Sequence, residues 1–171
     1  MKWGILDLMA AEYSFDIVSR LDMAEMGNAL NQARKEVQTR FDFKGGYPII
    51  ELREKCVFIQ AGTELMLKGL LDVLEDKLAK RKVSLKFFKY GKIENTSKGA
   101  YKQELELKEG ITKEEAKRLV DLIKKDRLNV KTQIQEDQLK ITSKNKDELQ
   151  KVIQLAKNNE GDSPFQFVNY R

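Results

Sequence analysis

The sequence predicts an α+β protein built from two antiparallel sheets, each carrying two helices on one face. Three observations lead there. An order of strand, helix, strand, strand, helix, strand can be traced twice along the 171 residues. Each of the four helical stretches opens on a capping residue and keeps its apolar positions at helical spacing. Hydrophobic residues make up 41% of the chain and charged residues 35%, enough apolar material for a core. No run approaches the roughly 18 apolar residues that a membrane span requires.

The first series begins with SFDIVSR at 14–20, where Phe15 and Ile17 alternate with Asp16 as in a half-buried strand. Asp22 and Glu25 have the spacing of a capping box, and Met26, Leu30, Ala33 and Val37 then share one helical face. RFDF at 40–43 is expected to end this helix, and Gly45-Gly46 with Tyr47-Pro48 to make a turn. Two short strands follow, IIEL at 49–52 and CVFIQA at 56–61, joined tightly through Arg53–Lys55. Thr63 caps a second helix lined by Leu67, Leu70, Leu71, Leu74 and Leu78, and SLKFF at 84–88 supplies another strand.

The second series repeats the pattern without repeating the residues. YKQELELK at 101–108 alternates as a strand, with Leu105 and Leu107 on one face. Thr112 and Glu115 box the start of a helix whose apolar side is Ala116, Leu119, Val120 and Ile123. VKTQIQ at 130–135 and QLKIT at 138–142 flank the hairpin-like join Glu136-Asp137. Asn145 and Glu148 cap the last helix, with Leu149, Val152, Ile153 and Ala156 inward, and FQF at 165–167 is the final strand.

Each half therefore follows the split βαβ, or ferredoxin-like, plan, and the fold expected is a tandem pair of such βαββαβ sandwiches. The polar stretch 89–100, KYGKIENTSKGA, is the natural junction, dividing a first domain at 13–98 from a second at 99–171. Residues 1–12 read as a flexible leader, within which Met9 is a candidate natural start. Asp7 interrupts the short apolar run there, so it makes a poor export signal. A free cysteine and many lysines and glutamates point to the cytoplasm.

Whole classes of chemistry are removed by what is absent. There is no histidine, so no Ser-His-Asp or Cys-His pair and no imidazole-bound zinc. The single cysteine, Cys56, excludes intrachain disulfides and CxxC chemistry, and it reads as a small apolar strand residue. Asp121, Asp126 and Glu136-Asp137 lack metal-loop spacing, and neither GxxxxGK[ST] nor GxGxxG occurs. The expectation is a protein that is not an enzyme, with no catalytic residues, metal or cofactor.

The charge points to an anionic partner. The chain carries a formal net +5, yet Lys80–Lys102 alone holds eight basic residues against one acid, Glu94. Either this is a phosphate track, with Lys89, Lys92, Lys98 and Lys102 as contacts, or it is a solvated helix end and loop. RFDF poses a similar choice. Arg40 and Lys44 could hold phosphate while Phe41 or Phe43 stacks on a base, or both rings could be core and Arg40 could pair with Asp42. In PFQFVNYR at 164–171, Phe165 and Phe167 are expected to pack inward, leaving Tyr170 and Arg171 to reach a ligand. The strands CVFIQA and QLKIT hold one aromatic, Phe58, which speaks against RNA readout on an open sheet of RRM type. Lys131, Gln133 and Gln135 make a polar face open to water.

SFDIVS at 14–19, ARKEVQTRFDF at 33–43, ELKEGI at 106–111, QIQ at 133–135 and PFQFVNYR at 164–171 together resemble the YajQ family of small bacterial proteins. The resemblance runs from Tyr13 to Arg171. It departs in the leader, in the KGGYP turn and in the KFFKYGK junction. It implies that the two ferredoxin-like domains exchange their first strands, so that 14–20 would complete the C-terminal sheet and 101–108 the N-terminal one. It also implies a nucleotide partner, cyclic di-GMP, GTP or ATP, sensed by a regulatory adaptor that hands the signal to another protein. The alternative it leaves is an RNA, transfer RNA or another structured one. Phosphates would be expected in the cleft between the domains and on the basic junction.

Overall fold

Residues 11–171 are described by the computed structural model, so the leader up to residue 10, with the candidate start Met9, lies outside the described residues. The chain runs β1 (Tyr13–Val18), α1 (Met23–Thr39), β2 (Ile49–Leu52), β3 (Cys56–Ala61), α2 (Glu64–Lys80), β4 (Phe88–Tyr90) and β5 (Glu94–Asn95). It continues with β6 (Tyr101–Leu107), α3 (Lys113–Lys125), β7 (Lys131–Gln135), β8 (Gln138–Ser143), α4 (Lys146–Asn158) and β9 (Gln166–Val168). Two compact units result. One is Leu21–Lys108; the other joins the segment ending at Arg20 to Glu109–Arg171. Each has the antiparallel sheet and helix pair of a ferredoxin-like sandwich.

In the Leu21–Lys108 unit the sheet order is β2-β3-β6-β4, with β5 added to β6. Val57, Ile59 and Leu105 point to one face and share a core with Met26 and Leu30 of α1 and Leu67 and Leu74 of α2. Both helices start on the residues expected: the Asp22 carboxylate accepts from the Glu25 N–H (3.1 Å) and Thr63 Oγ1 from the Met66 N–H (3.1 Å). Helix α2 closes with the Val83 N–H donating to the Leu78 carbonyl (2.9 Å), and Lys82 takes the left-handed position (φ 59°) usually given to glycine.

The strand expected at 84–88 is displaced. Ser84 caps a 3-10 turn over Leu85–Phe87, and pairing begins only at Phe88. An extended chain sends neighbouring side chains to opposite faces, whereas Phe87 and Phe88 are both buried in the same core; the tight turn lets both face it. The stretch 89–100 is likewise structured. It holds the end of β4, all of β5 and a turn in which Thr96 Oγ1 accepts from the Ala100 N–H (3.0 Å).

Gly91 lets this segment lie against β6. Its N–H donates to the Glu104 carbonyl (2.9 Å), and a Cβ there would stand 2.8 Å from that oxygen. Gly91→Ala is expected to cost about 1–3 kcal/mol through the forced backbone shift, read as a lower urea midpoint. Gly27→Ala is the control: it lies inside α1 with nothing within 4 Å of the new Cβ, and it is expected to gain about 0.5–1 kcal/mol.

In the other unit the order is β7-β8-β1-β9. Phe15, Ile17, Leu139 and Ile141 pack against Leu119 of α3 and Val152 of α4. Thr112 caps α3 as expected, accepting from the Glu115 N–H (3.2 Å). The Glu115 carboxylate is itself buried and accepts from the Ser163 N–H (3.0 Å), tying the loop before β9 to the helix. At α4 the expected partners part: Asn145 accepts from the Asp147 N–H (2.8 Å), while Glu148 accepts from the Asn129 N–H (2.9 Å) and pairs with Lys151 (3.0 Å). The last strand starts one residue later than expected, because the Phe165 N–H is spent on the Glu160 carboxylate (3.2 Å) rather than on the ladder.

Candidate functional site

RFDF does not end the first helix. Helix α1 stops at Thr39 because Arg40 is extended (φ −82°, ψ 132°), and Phe41–Phe43 forms a separate 3-10 turn. The break sends the two phenylalanines to different places. Phe43 is buried, with its ring 3.4 Å from where a Cβ on Gly69 of α2 would stand, whereas Phe41 is 86% exposed. Of the two rings, one is core and the other is left in solvent.

Arg40 is held by Asp42 through two bonds, Nε to Oδ1 at 3.0 Å and a terminal nitrogen to Oδ2 at 2.7 Å, with Glu36 at 3.8 Å. Its guanidinium also lies 5.2 Å from the centre of the Phe43 ring. The hydrogen bonds from Arg40 hold the Asp42 carboxyl below the usual carboxylate range. The pair therefore persists through neutral pH and is lost only as pH falls through that lowered value.

The chain then turns over two glycines. The Gly62 N–H donates to the Gly46 carbonyl (2.9 Å), and a Cβ on Gly62 would stand only 3.2 Å from the Gly46 Cα, so the two glycines let the backbones lie this close. The turn delivers Tyr47 with its ring 85% exposed and its backbone left-handed (φ 45°), immediately before Pro48. Bulky residues avoid that conformation, and a following proline disfavours it further.

Between the end of α1 and the start of β2 lies a groove of about 490 Å³. Val37 and Phe43 are its buried lining; Arg40, Phe41, Lys44 and Tyr47 are its exposed lining, and no acidic side chain lines it. The structure thus brings Arg40, Phe41 and Lys44 together and adds Tyr47, which the sequence showed only as part of a turn. Its one local signal was a ring beside a proline where small residues suffice.

The basic stretch is dispersed instead. Lys80 pairs with Asp76 (3.0 Å), Arg81 with Glu25 (3.4 Å) and Lys102 with Glu94 (3.8 Å). Lys89 sits on β4 opposite Glu106, at the far sheet edge from β2, roughly 14 Å away at normal strand spacing. Lys92 and Lys98 are exposed in the segments around β5. The Tyr90 hydroxyl beside them donates to Glu75 (3.1 Å), and burial with that carboxylate pushes its pKa up to about 12.

The sheet face away from the helices is closed to stacking. The Arg53 guanidinium covers the Phe58 ring at 3.9 Å and pairs with Glu51 (3.5 Å) and Glu104 (3.7 Å). Burial and the neighbouring Glu104 push the Cys56 thiol up, away from the reactive thiolate. Arg171 belongs to the other unit. It lines a cleft there with Tyr13, Lys146 and Tyr170.

A family model described as nucleotide-binding protein YajQ-like matches residues 13–171. A protein of Carboxydothermus hydrogenoformans named nucleotide-binding protein is 52% identical over 165 residues, covering 95% of this chain and 100% of the relative. One of the same name from Geotalea uraniireducens is 45% identical over 158 residues, covering 92% and 98%. Among the described residues no helix is long and apolar enough to cross a membrane. With the match spanning both units and every element from β1 to β9, the chain belongs to the YajQ-like family.

Proposed function

We propose that this protein is a cytoplasmic, non-enzymatic nucleotide-binding adaptor, and that the groove between α1 and β2 stacks the base. The observation that carries this is the pair of almost fully exposed rings, Phe41 and Tyr47, on one groove beside Lys44. Leaving such rings in water forgoes about 1.5–3 kcal/mol of burial each, a cost that a stacked ligand would offset. The name nucleotide-binding protein carried by the relatives supports the same reading.

Two ring faces in one groove suit a ligand with two bases, which favours cyclic di-GMP over GTP or ATP. Lys44 has no carboxylate within ion-pair distance among the described residues, leaving its ammonium for phosphate. Arg40 is a second phosphate ligand once it leaves Asp42. Asp42→Asn is therefore expected to tighten nucleotide binding about three- to tenfold by releasing the guanidinium, with a steeper salt dependence, both read by calorimetry.

RNA is the competing partner, resting on exposed Lys92 and Lys98; the carboxylates paired with Lys80, Arg81 and Lys102 weaken it. Titration of labelled cyclic di-GMP, GTP and a short structured RNA at low and high salt tests the choice. Saturable binding of a small nucleotide that survives salt, without turnover, is expected. RNA binding with a slope of roughly −0.7Z to −0.9Z for Z neutralised phosphates, and no small-ligand affinity, would replace it.

A further inference from the structure

The cleft that contains Arg171 has the makings of a second binding site, in a different unit from the groove. It has a volume of about 280 Å³. Leu149 and Ile153 of α4, both buried, are its apolar lining, and Tyr13 and Tyr170 add two rings. Lys146 and Arg171 are its charged side chains, and no acidic side chain lines it. Neither cation has an acidic side chain within ion-pair distance among the described residues.

The parts are held in place before any ligand arrives. Tyr170 stacks on Phe15 (centroids 5.9 Å apart, planes 28° apart), and Phe15 is fixed in the core. One face of the Tyr170 ring is therefore occupied, and the ring remains 60% exposed. The following residue is pinned by two backbone bonds between Ser14 and Arg171, at 3.1 and 3.0 Å. The Lys146 ammonium lies 4.7 Å from the centre of the Tyr13 ring, which holds it at the cleft by cation–π attraction. Fixed rings and cations reduce the ordering that binding would otherwise require.

We propose that this cleft binds a single aromatic ring system carrying one anionic group, the ring stacked on Tyr170 and the carboxylate or phosphate between Lys146 and Arg171. The volume lies just below the roughly 300–1,000 Å³ of drug-sized sites, which suits one ring system and its acid. The apolar lining takes the ring edge, and the two cations supply charge-assisted bonds.

Calorimetric titration of the full chain with indole-3-acetate and, separately, with GMP tests this, using Tyr170→Leu, Lys146→Gln and Phe41→Ala. Saturable binding of at least one probe at the cleft is expected, weakened about tenfold by Tyr170→Leu and by Lys146→Gln and persisting in Phe41→Ala, which removes only the GMP bound at the groove. Indole-3-acetate alone would identify a carboxylate ligand, and GMP alone a phosphate. Tyr170→Leu keeps an apolar side chain over Phe15, and an unchanged unfolding midpoint would show that lost binding is not lost folding; if the midpoint falls, Lys146→Gln, at a surface position, decides. Failure of both probes to bind, or binding insensitive to both cleft variants, would overturn the proposal. GMP binding abolished by Phe41→Ala and unaffected by the cleft variants, with no binding of indole-3-acetate, would do the same while leaving the groove as the nucleotide site.

Discussion

Phe41→Ala and Tyr47→Ala are each expected to weaken nucleotide binding about tenfold or more, the worth of one base–aromatic stack. Both residues stand in solvent at 86% and 85% exposure, so the unfolding free energy should change by no more than about 0.5 kcal/mol. Tyr47→Gly separates the ring from the backbone. Glycine adopts the left-handed conformation at φ 45° without steric cost, so this variant should fold as well as the parent and still lose the stack. Parent-like affinity in all three would remove the groove from consideration, whichever nucleotide binds elsewhere.

Leu105→Ala is expected to lower stability by about 2–5 kcal/mol through the cavity it leaves. The residue is 1% exposed, on the strand that pairs with both β3 and β4. Hydrogen exchange followed by peptide should show the main loss of protection in Leu21–Lys108. Phe15→Ala is the mirror experiment, costing about 3–5 kcal/mol, with the main loss in Glu109–Arg171, because β1 pairs with β8 and β9. The reverse distribution of protection would contradict the strand pairing itself.

These two experiments probe different kinds of information. The helices could be read locally: Asp22, Thr63 and Thr112 each cap the helix they precede, since a capping bond spans only three residues. The hairpin β7–β8 was legible for the same reason, with Glu136 (φ 50°) and Asp137 joining Gln135 to its partner Gln138. SLKFF misled because its alternation fits a strand, whereas two adjacent phenylalanines needed the same core. Asn145 found its expected role but Glu148 did not, because Asn129, distant in sequence, offered its carboxylate a backbone donor.

The candidate site divides in the same way. Arg40, Phe41 and Lys44 lie close in sequence, and the structure places them on one groove. The charge run from Lys80 to Lys102 is a linear fact that folding divides, since antiparallel pairing sets Lys89 against Glu106 and Lys102 against Glu94. Tyr13, Lys146 and Tyr170 meet only because β1 is sandwiched between β8 and β9.

The sequence by itself determined the element order, the capped helices, the apolar faces and the absence of histidine chemistry, all properties of composition or of contacts a few residues long. Only the tertiary structure decided which sheet each strand joins, which ring of RFDF faces water and which lysines keep a free charge. Those outcomes depend on groups far apart in sequence competing for the same core positions and ion partners, and the competition is settled when the chain packs.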